Sequence, residues 1–105
     1  MNEKMTSDEQ ALLLREQGRT FQAIAQILDL DSARAAQAAF LRSLRLRPRI
    51  EQAWLRSREL GRLDALASRM RGRDDLSVAE VVRRLRGLER QRETILSIEV
   101  SALRI

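Results

Sequence analysis

The stretch that decides the fold of the first half of the chain runs from Leu14 to Leu30 and reads LREQGRTFQAIAQILDL. Gly18 stands where a helix is expected to end in a left-handed cap, and Thr20 is placed to cap the helix that follows. Apolar residues then recur at helical spacing as far as Leu28, and Leu30 supplies an apolar plug in the next turn. The pattern predicts a helix, a tight turn and a further helix, which is the arrangement of a helix-turn-helix.

The residues on either side of this stretch predict where the first and third helices begin. Ser7 with Gln10 fits a capping box at the start of the first helix. Asp31 or Ser32 is expected to cap the third helix. The predicted head therefore covers residues 1–47 as an all-α unit of three short helices. A plain three-helix packing unit without DNA contact is the alternative interpretation.

The same stretch resembles the pattern basic-Glu-x-Gly-x-Thr/Ser-aromatic-x-x-Ile-Ala-x-x-Leu-x-Leu/Val of small three-helix DNA-binding heads. The resemblance implies that the third helix lies against DNA. Its polar residues are few and stand among alanines, and Asp29 and Asp31 flank it, so we expect weak readout of base edges.

Residues 42–49, at and beyond the end of the third helix, include four arginines and no acidic residue. We expect them to contact phosphates, which position a protein on DNA without reading its sequence. A solvated helix end is the alternative, since basic side chains also suit the negative end of a helix. The candidate DNA-binding residues are Arg19, Ser32, Arg34, Gln37, Arg42, Arg45, Arg47 and Arg49.

The only proline, Pro48, marks the predicted boundary between the head and a second helical part. Beyond it, apolar residues recur at spacings of three and four on two segments separated by Gly72. The spacing predicts an antiparallel hairpin of two long helices over residues 48–96, which needs apolar neighbours in the head or in other copies. Trp54 is expected to anchor the hairpin to the head or to another subunit, with base stacking as the alternative. The predicted oligomerisation residues are Trp54, Leu60, Leu63, Ala67, Met70, Val81, Leu85 and Leu88.

The last residues, 97–105, change character, because apolar and polar residues alternate there. Period two with β-branched residues predicts a short strand, and a frayed helix end or a disordered tail is the alternative. A lone strand needs an edge to pair with, so we expect this tail to bind a partner protein or further copies of the chain. The candidate partner-binding residues are Ile98, Val100, Leu103 and Ile105.

The composition argues against an enzyme. The 105 residues include no His and no Cys, which removes the commonest general base, the commonest metal ligand and any thiol nucleophile. No glycine-rich loop ends in Lys-Ser or Lys-Thr, and the adjacent Asp74 and Asp75 are typical of a turn before a helix. We expect no catalytic residue, no metal, no cofactor and no small-molecule substrate.

The net charge of +5 arises almost entirely from arginine, since Lys4 is the only lysine. Arginine suits phosphate and carboxylate partners, although a GC-rich genome gives the same bias. No apolar run approaches the length of a membrane span, and the first residues are not followed by an apolar core like that of a secretory signal. We expect a cytoplasmic protein that does not enter a membrane.

The hairpin resembles a stretch of phage terminase small subunits. Residues 54–66, WLRSRELGRLDAL, are similar to their pattern Arg-x-x-Glu-x-x-Arg-Leu-Asp-x-Leu. After Asp75, residues 81–96, VVRRLRGLERQRETIL, are similar to their next helix, of the form Val-x-Arg-x-Leu-Arg-x-x-Glu-Arg-Arg-x-x-Leu-x-Leu. With the head in front, the resemblance covers residues 8–97.

The resemblance implies a non-catalytic DNA-packaging adaptor in the cytoplasm of a bacterial host. In that family a helix-turn-helix head binds double-stranded DNA, a helical hairpin assembles copies into a ring, and a C-terminal segment recruits the large subunit with the ATPase and nuclease. The alanine-rich third helix departs from specific site recognition and fits the small subunit of a gene transfer agent, which packages DNA with little sequence preference. Two other hypotheses stay open: a small transcription regulator that dimerises through its hairpin, and a structural protein whose head never meets DNA.

Overall fold

The computed structural model describes the backbone of residues 5–103 and the side chains of residues 5–98. All secondary-structure elements in that range are α-helices, so the predicted all-α class is confirmed. The helices are α1 (Ser7–Glu16), α2 (Phe21–Ile27), α3 (Ala33–Arg45), α4 (Arg49–Arg71) and α5 (Val78–Leu103). The chain divides into two compact units: Met1–Pro48, which contains α1–α3, and Arg49–Ile105, which contains α4 and α5.

Helix α1 is capped one residue earlier than the sequence predicts. The Thr6 hydroxyl oxygen accepts a hydrogen bond from the Glu9 N–H at 3.1 Å. Gln10, the expected partner of Ser7, instead donates from its side chain to the Met5 carbonyl oxygen at 3.2 Å. The prediction of Ser7 as the cap is wrong because Ser7 is already the first helical residue, and Thr6 satisfies one of the N–H groups that a helix start leaves open.

The turn between α1 and α2 confirms the predicted left-handed glycine. Gly18 has a φ of 91°, and its N–H bonds back to the Arg15 carbonyl at 2.9 Å. The next N–H, of Arg19, reaches the Leu14 carbonyl at 3.1 Å, which completes a Schellman cap. Thr20 then caps α2 by accepting from the Ala23 N–H at 3.1 Å.

A second left-handed residue, which the sequence does not reveal, closes α2. Asp29 has a φ of 55°, and the Leu30 N–H bonds back to the Ala25 carbonyl at 2.8 Å. Ser32 then caps α3 by accepting from the Ala35 N–H at 3.1 Å, which decides between the two predicted caps. Two caps of the same kind therefore fix the directions in which α2 and α3 leave their turns.

The core of the first unit lies where α1 and α2 pack on α3. Phe40 of α3 is fully buried, and its ring centroid lies 5.6 Å from that of Phe21, with the ring planes tilted by 54°. The Arg15 guanidinium lies 4.0 Å from the centroid of the Phe21 ring and donates to the Arg19 carbonyl at 3.0 Å. Small and aliphatic residues complete the buried set: Ala11, Leu12, Ile24, Ala25, Ala36, Ala39 and Leu44.

In the second unit α4 and α5 pack against each other. The Ser77 hydroxyl oxygen accepts from the Glu80 N–H at 3.1 Å and starts α5, as predicted. The Arg92 guanidinium reaches the Asp64 carboxylate at 2.6 Å across the two helices. With a connection of only six residues after Arg71, this contact far from the turn requires the helices to run antiparallel. The buried residues of this unit are Gln52, Leu55, Arg56, Glu59, Leu63, Ile95 and Ile98.

The prediction of a C-terminal strand is wrong for residues 97–103. Helix α5 continues without a break from the hairpin region through Leu103, so residues 97–103 do not form a separate segment. Ile95 and Ile98 are both buried three positions apart, which is a helical spacing, and the Ser97 hydroxyl donates to the Thr94 carbonyl at 2.9 Å. Residues 5–103 include no strand that could pair with this segment.

None of the helices in the described residues is long and apolar enough to cross a membrane.

Candidate nucleic-acid interface

The exposed face of α3 carries three of the predicted DNA-binding arginines. Arg34, Arg42 and Arg45 are all exposed. They lie within about 80° of one another around the helix at 3.6 residues per turn. The buried Ala36, Ala39 and Phe40 on the opposite side hold this face outward. The helix therefore presents a basic face, Arg34–Arg42–Arg45, that the packing of the first unit orients.

The polar residues at the start of α3 are placed less favourably for reading bases. The Ser32 hydroxyl already accepts the Ala35 N–H, and Gln37 is half-buried. Asp29 and Asp31 are exposed in the turn just before the helix. Their negative charges oppose an approaching phosphate, so the arrangement suits contacts along the arginine face better than contacts at the helix start.

Arg42 has an acidic partner that no local pattern in the sequence predicts. Its guanidinium donates to both oxygens of the Asp8 carboxylate, at 2.9 and 3.0 Å, and so ties α3 to the start of α1. The hydrogen bond from Arg42 lowers the pKa of the Asp8 carboxyl and raises that of the guanidinium. No acidic residue lies among the four arginines of residues 42–49 in the sequence, but the fold brings Asp8 into contact with Arg42.

The other predicted DNA contacts do not form one continuous patch within the first unit. Arg19 is exposed in the turn before α2, and Arg47 is half-buried after the end of α3. Arg49 is the first residue of α4 and belongs to the second unit. The basic face of the first unit is therefore narrower than the eight residues predicted from the sequence.

Arg15 belongs to the motif that resembles DNA-binding heads, but its contacts stabilise the first unit. Its position in the resemblance motif is explained by its contacts, because it is 7% exposed and lies against the Phe21 ring. A guanidinium on an aromatic face gains cation–π attraction and keeps its stem buried. The two phenylalanines of the chain, Phe21 and Phe40, were the available signal that this turn is held by rings.

The predicted oligomerisation residues of the second unit differ in how far they are buried. Leu63 is 3% exposed within the second unit, so it stabilises the unit itself. A groove of about 600 Å³ between α4 and α5 is lined by Leu63, Ala67, Val82, Leu85 and Leu88, with charged residues at its rim. The remaining members of the predicted seam, Leu60, Met70 and Val81, are half-buried.

Trp54 is exposed on α4. The residue is 56% exposed, and the Arg58 guanidinium lies 4.8 Å from the centroid of the Trp54 ring. Ile50, one turn earlier, is 87% exposed. These two residues leave a large apolar area open on the second unit, which favours the predicted contact with another molecule over a role in the core of this unit.

Two ion-pair clusters organise the turn between α4 and α5. Arg73 donates to both oxygens of Asp75 at 2.6 Å and lowers the pKa of that carboxyl to about 2. Glu80 accepts from Arg83 and Arg84 on the first turns of α5, and these bonds lower its pKa. These carboxylates are therefore held by arginines, and the side chains of residues 5–98 include no cluster of acidic residues suited to a metal ion.

Neither a family model, nor a curated protein, nor a solved structure matches this chain.

Proposed function

We propose that this chain is a non-catalytic DNA-packaging adaptor of the terminase small subunit type. It binds double-stranded DNA as a homo-oligomer in the cytoplasm of a bacterial host and recruits a large subunit that supplies the ATPase and nuclease. The observation that supports DNA binding best is the basic face Arg34–Arg42–Arg45 on α3. The packaging role is supported by the resemblance of residues 54–66 and 81–96.

In this proposal α2, its turn and α3 act as a helix-turn-helix, and α4 and α5 form the oligomerisation hairpin. The three arginines contact phosphates on neighbouring strands of the groove, and Ser32 and Gln37 add few base contacts. Binding is consequently driven by the release of counterions and discriminates little between sequences. A packaging adaptor that accepts many DNA ends needs this behaviour.

Recruitment of the large subunit is assigned to the end of α5. Ile98 is 4% exposed and so takes part in the packing of this chain rather than in the contact. The side chains of Val100 and Leu103, like the whole of Ile105, lie outside the described residues. Deleting residues 99–105 is expected to abolish capture by the large subunit while leaving the number of chains in the oligomer unchanged.

The direct test is the affinity for labelled duplexes of unrelated sequence, measured by fluorescence anisotropy at several salt concentrations. Replacing Arg34 and Arg45 together by Ala is expected to weaken binding alike on every duplex. The slope of log affinity against log salt should fall by about two, since each phosphate contact contributes about 0.9.

A matched control is the double variant Arg73→Ala with Arg83→Ala, which also removes two positive charges, here from arginines that Asp75 and Glu80 hold near the turn between α4 and α5. This variant should bind DNA like the wild type. An equal loss in the control and in the α3 variant would refute the assignment to α3. A wild type that retards no duplex at low salt would refute DNA binding altogether and favour a structural protein.

Light scattering separates the packaging adaptor from the transcription regulator. An adaptor ring requires a mass well above that of two chains, in the presence or absence of DNA. A stable dimer with one strongly preferred duplex would favour the regulator.

A further inference from the structure

One stripe along α5 stays partly exposed beside the contact of α5 with α4. Its members recur at alternating spacings of four and three, which is the seam spacing of a coiled coil. Val78 is 81% exposed, Val82 39% and Leu96 37%. We call this set the α5 stripe; it consists of Val78, Val82, Leu85, Glu89, Arg92 and Leu96.

The α5 stripe forms one wall of the groove between the two helices. Val82, Leu85, Glu89 and Arg92 line the groove, and Leu63 of α4 lies opposite them. A groove lined by both apolar and charged residues accepts an amphipathic helix that brings apolar and charged residues at the same spacing.

The two charged members in the middle of the stripe have opposite signs and stand three residues apart. Glu89 is exposed and makes no ion pair among residues 5–98. Arg92 donates one N–H to Asp64 at 2.6 Å, and its side chain is 38% exposed. A guanidinium has five N–H donors, so this bond leaves others that can meet a further carboxylate.

We infer that the groove takes the α5 stripe of a second copy of this chain, packed antiparallel about a two-fold axis that passes between residues 90 and 91. In this register Glu89 faces Arg92 of the second copy, and the same pair forms again on the other side of the axis. Leu85 faces Leu96 of the second copy, also twice. These two kinds of layer are therefore each repeated by the two-fold axis, as a two-fold interface requires.

Charge selects this register over its neighbours. An antiparallel register shifted by one heptad, with the axis at residue 87, places Glu89 against Leu85 and Arg92 against Val82. A parallel pairing in register places Glu89 against Glu89. Both arrangements leave Glu89 and Arg92 without an opposite charge in the middle of the contact, which costs free energy, whereas the inferred register pairs Glu89 with Arg92 on both sides of the axis.

This inference rests on the proposed function for its purpose, since the pairing brings two DNA-binding units into one particle. An interface with two-fold symmetry closes at two copies. A larger assembly must therefore use another face as well, and the exposed Ile50 and Trp54 on α4 provide one.

The test uses two single variants of the full chain, Glu89→Arg and Arg92→Glu, and sedimentation equilibrium. Each variant alone places like charges opposite each other, so its self-association should be weakened by at least about tenfold. An equimolar mixture of the two restores an opposite charge at every position and should associate as tightly as the wild type. Variants that associate alone like the wild type, or a mixture that stays dissociated, would overturn the inference.

Two controls accompany these variants. Arg90→Glu and Glu93→Arg change the same charges at the same spacing on exposed residues outside the stripe, and they should leave self-association unchanged. Asp64→Ala removes only the ion pair within the chain and separates the loss of that contact from the effect of Arg92→Glu. Far-UV circular dichroism of each variant establishes that the helices are retained.

A cross-link provides a second measurement that does not depend on charge. The chain has no cysteine, so the double variant Leu85→Cys with Leu96→Cys introduces the only two thiols. Eleven residues of helix separate them by about 16 Å within one chain, too far for a disulfide. Mild oxidation should produce a covalent dimer, and either single variant should not.

Absence of the dimer in the double variant would overturn the inferred register. DNA affinity of the same variants, measured by fluorescence anisotropy, distinguishes a failure of the register from a failure of the proposed function. DNA binding that persists while the register fails leaves the adaptor intact, and DNA binding that is absent in the wild type removes the adaptor whatever the register.

Discussion

The two left-handed residues that close α1 and α2 offer a matched pair of substitutions with opposite expected effects. Gly18 and Asp29 occupy the same position in two similar caps, with φ values of 91° and 55°. A residue with a Cβ pays a free-energy cost of about 1–2 kcal/mol in this conformation. Glycine avoids that cost but loses more entropy on folding, by about 0.4–1 kcal/mol.

For Gly18→Ala, the free energy of unfolding is expected to fall by about 1 kcal/mol, the balance of these two terms. A Cβ built at Gly18 meets no heavy atom within 4 Å, so crowding adds nothing and the effect comes from the backbone alone. For Asp29→Gly, stability should rise, but by only about 0.5 kcal/mol, because Asp tolerates the left-handed region better than Ala does.

The assay is urea unfolding of the full chain followed by far-UV circular dichroism, with thermal unfolding as a check. A change of 1 kcal/mol corresponds to a shift in Tm of about 4–8 °C for a domain of this size. Asp29→Ala is the control, since it removes the same charge as Asp29→Gly but keeps the Cβ, and it should not stabilise. A Gly18→Ala variant as stable as the wild type, or an Asp29→Gly variant less stable than Asp29→Ala, would refute the reasoning.

Three further outcomes are expected from other contacts. Replacing Asp8 by Asn releases the arginine that it holds on α3, so DNA affinity at low salt should rise in the anisotropy assay, and an unchanged affinity would speak against a role of that arginine. Leu63→Asp puts an unpaired charge into the buried seam and should lower helicity by circular dichroism, whereas Leu85→Asp at the groove should abolish self-association with helicity retained; equal helicity in both would contradict the assignment. The hydrogen bond from Arg73 lowers the folded-state pKa of Asp75 from 3.8 to about 2. The stabilisation by the Arg73–Asp75 pair is therefore complete above about pH 4 and is lost as the pH falls towards 2, so the difference in urea midpoint between wild type and Asp75→Asn should shrink over that interval.

Much of the fold was predictable because the signals for it are local. Gly18, Thr20 and Ser77 act on N–H and carbonyl groups within a few residues of themselves, so their caps can be read along the chain. The helical periodicity of the apolar residues likewise predicts five all-α segments without knowledge of what they pack against. The predicted C-terminal strand was wrong because an alternation over so few residues is a weak signal, and the burial of Ile95 and Ile98, three residues apart, follows helical spacing instead.

The candidate sites were predictable only in part. The sequence placed arginines on α3, but it could not show that Arg42 is held by Asp8, thirty-four residues away. It also assigned Leu63 and Leu85, one on each predicted helix of the second unit, to oligomerisation alike, whereas burial separates the interior Leu63 from the half-buried Leu85 at the groove.

The amino-acid sequence by itself determined that this protein is helical, basic, without His or Cys chemistry, and divided near Pro48, because these properties follow from residue types and from interactions between neighbours in the chain. The tertiary structure decided which of the many arginines and leucines face outward, which arginine has an acidic partner, and where a groove remains open. Those properties depend on distances between residues far apart in the chain, and such distances are set only when the helices pack.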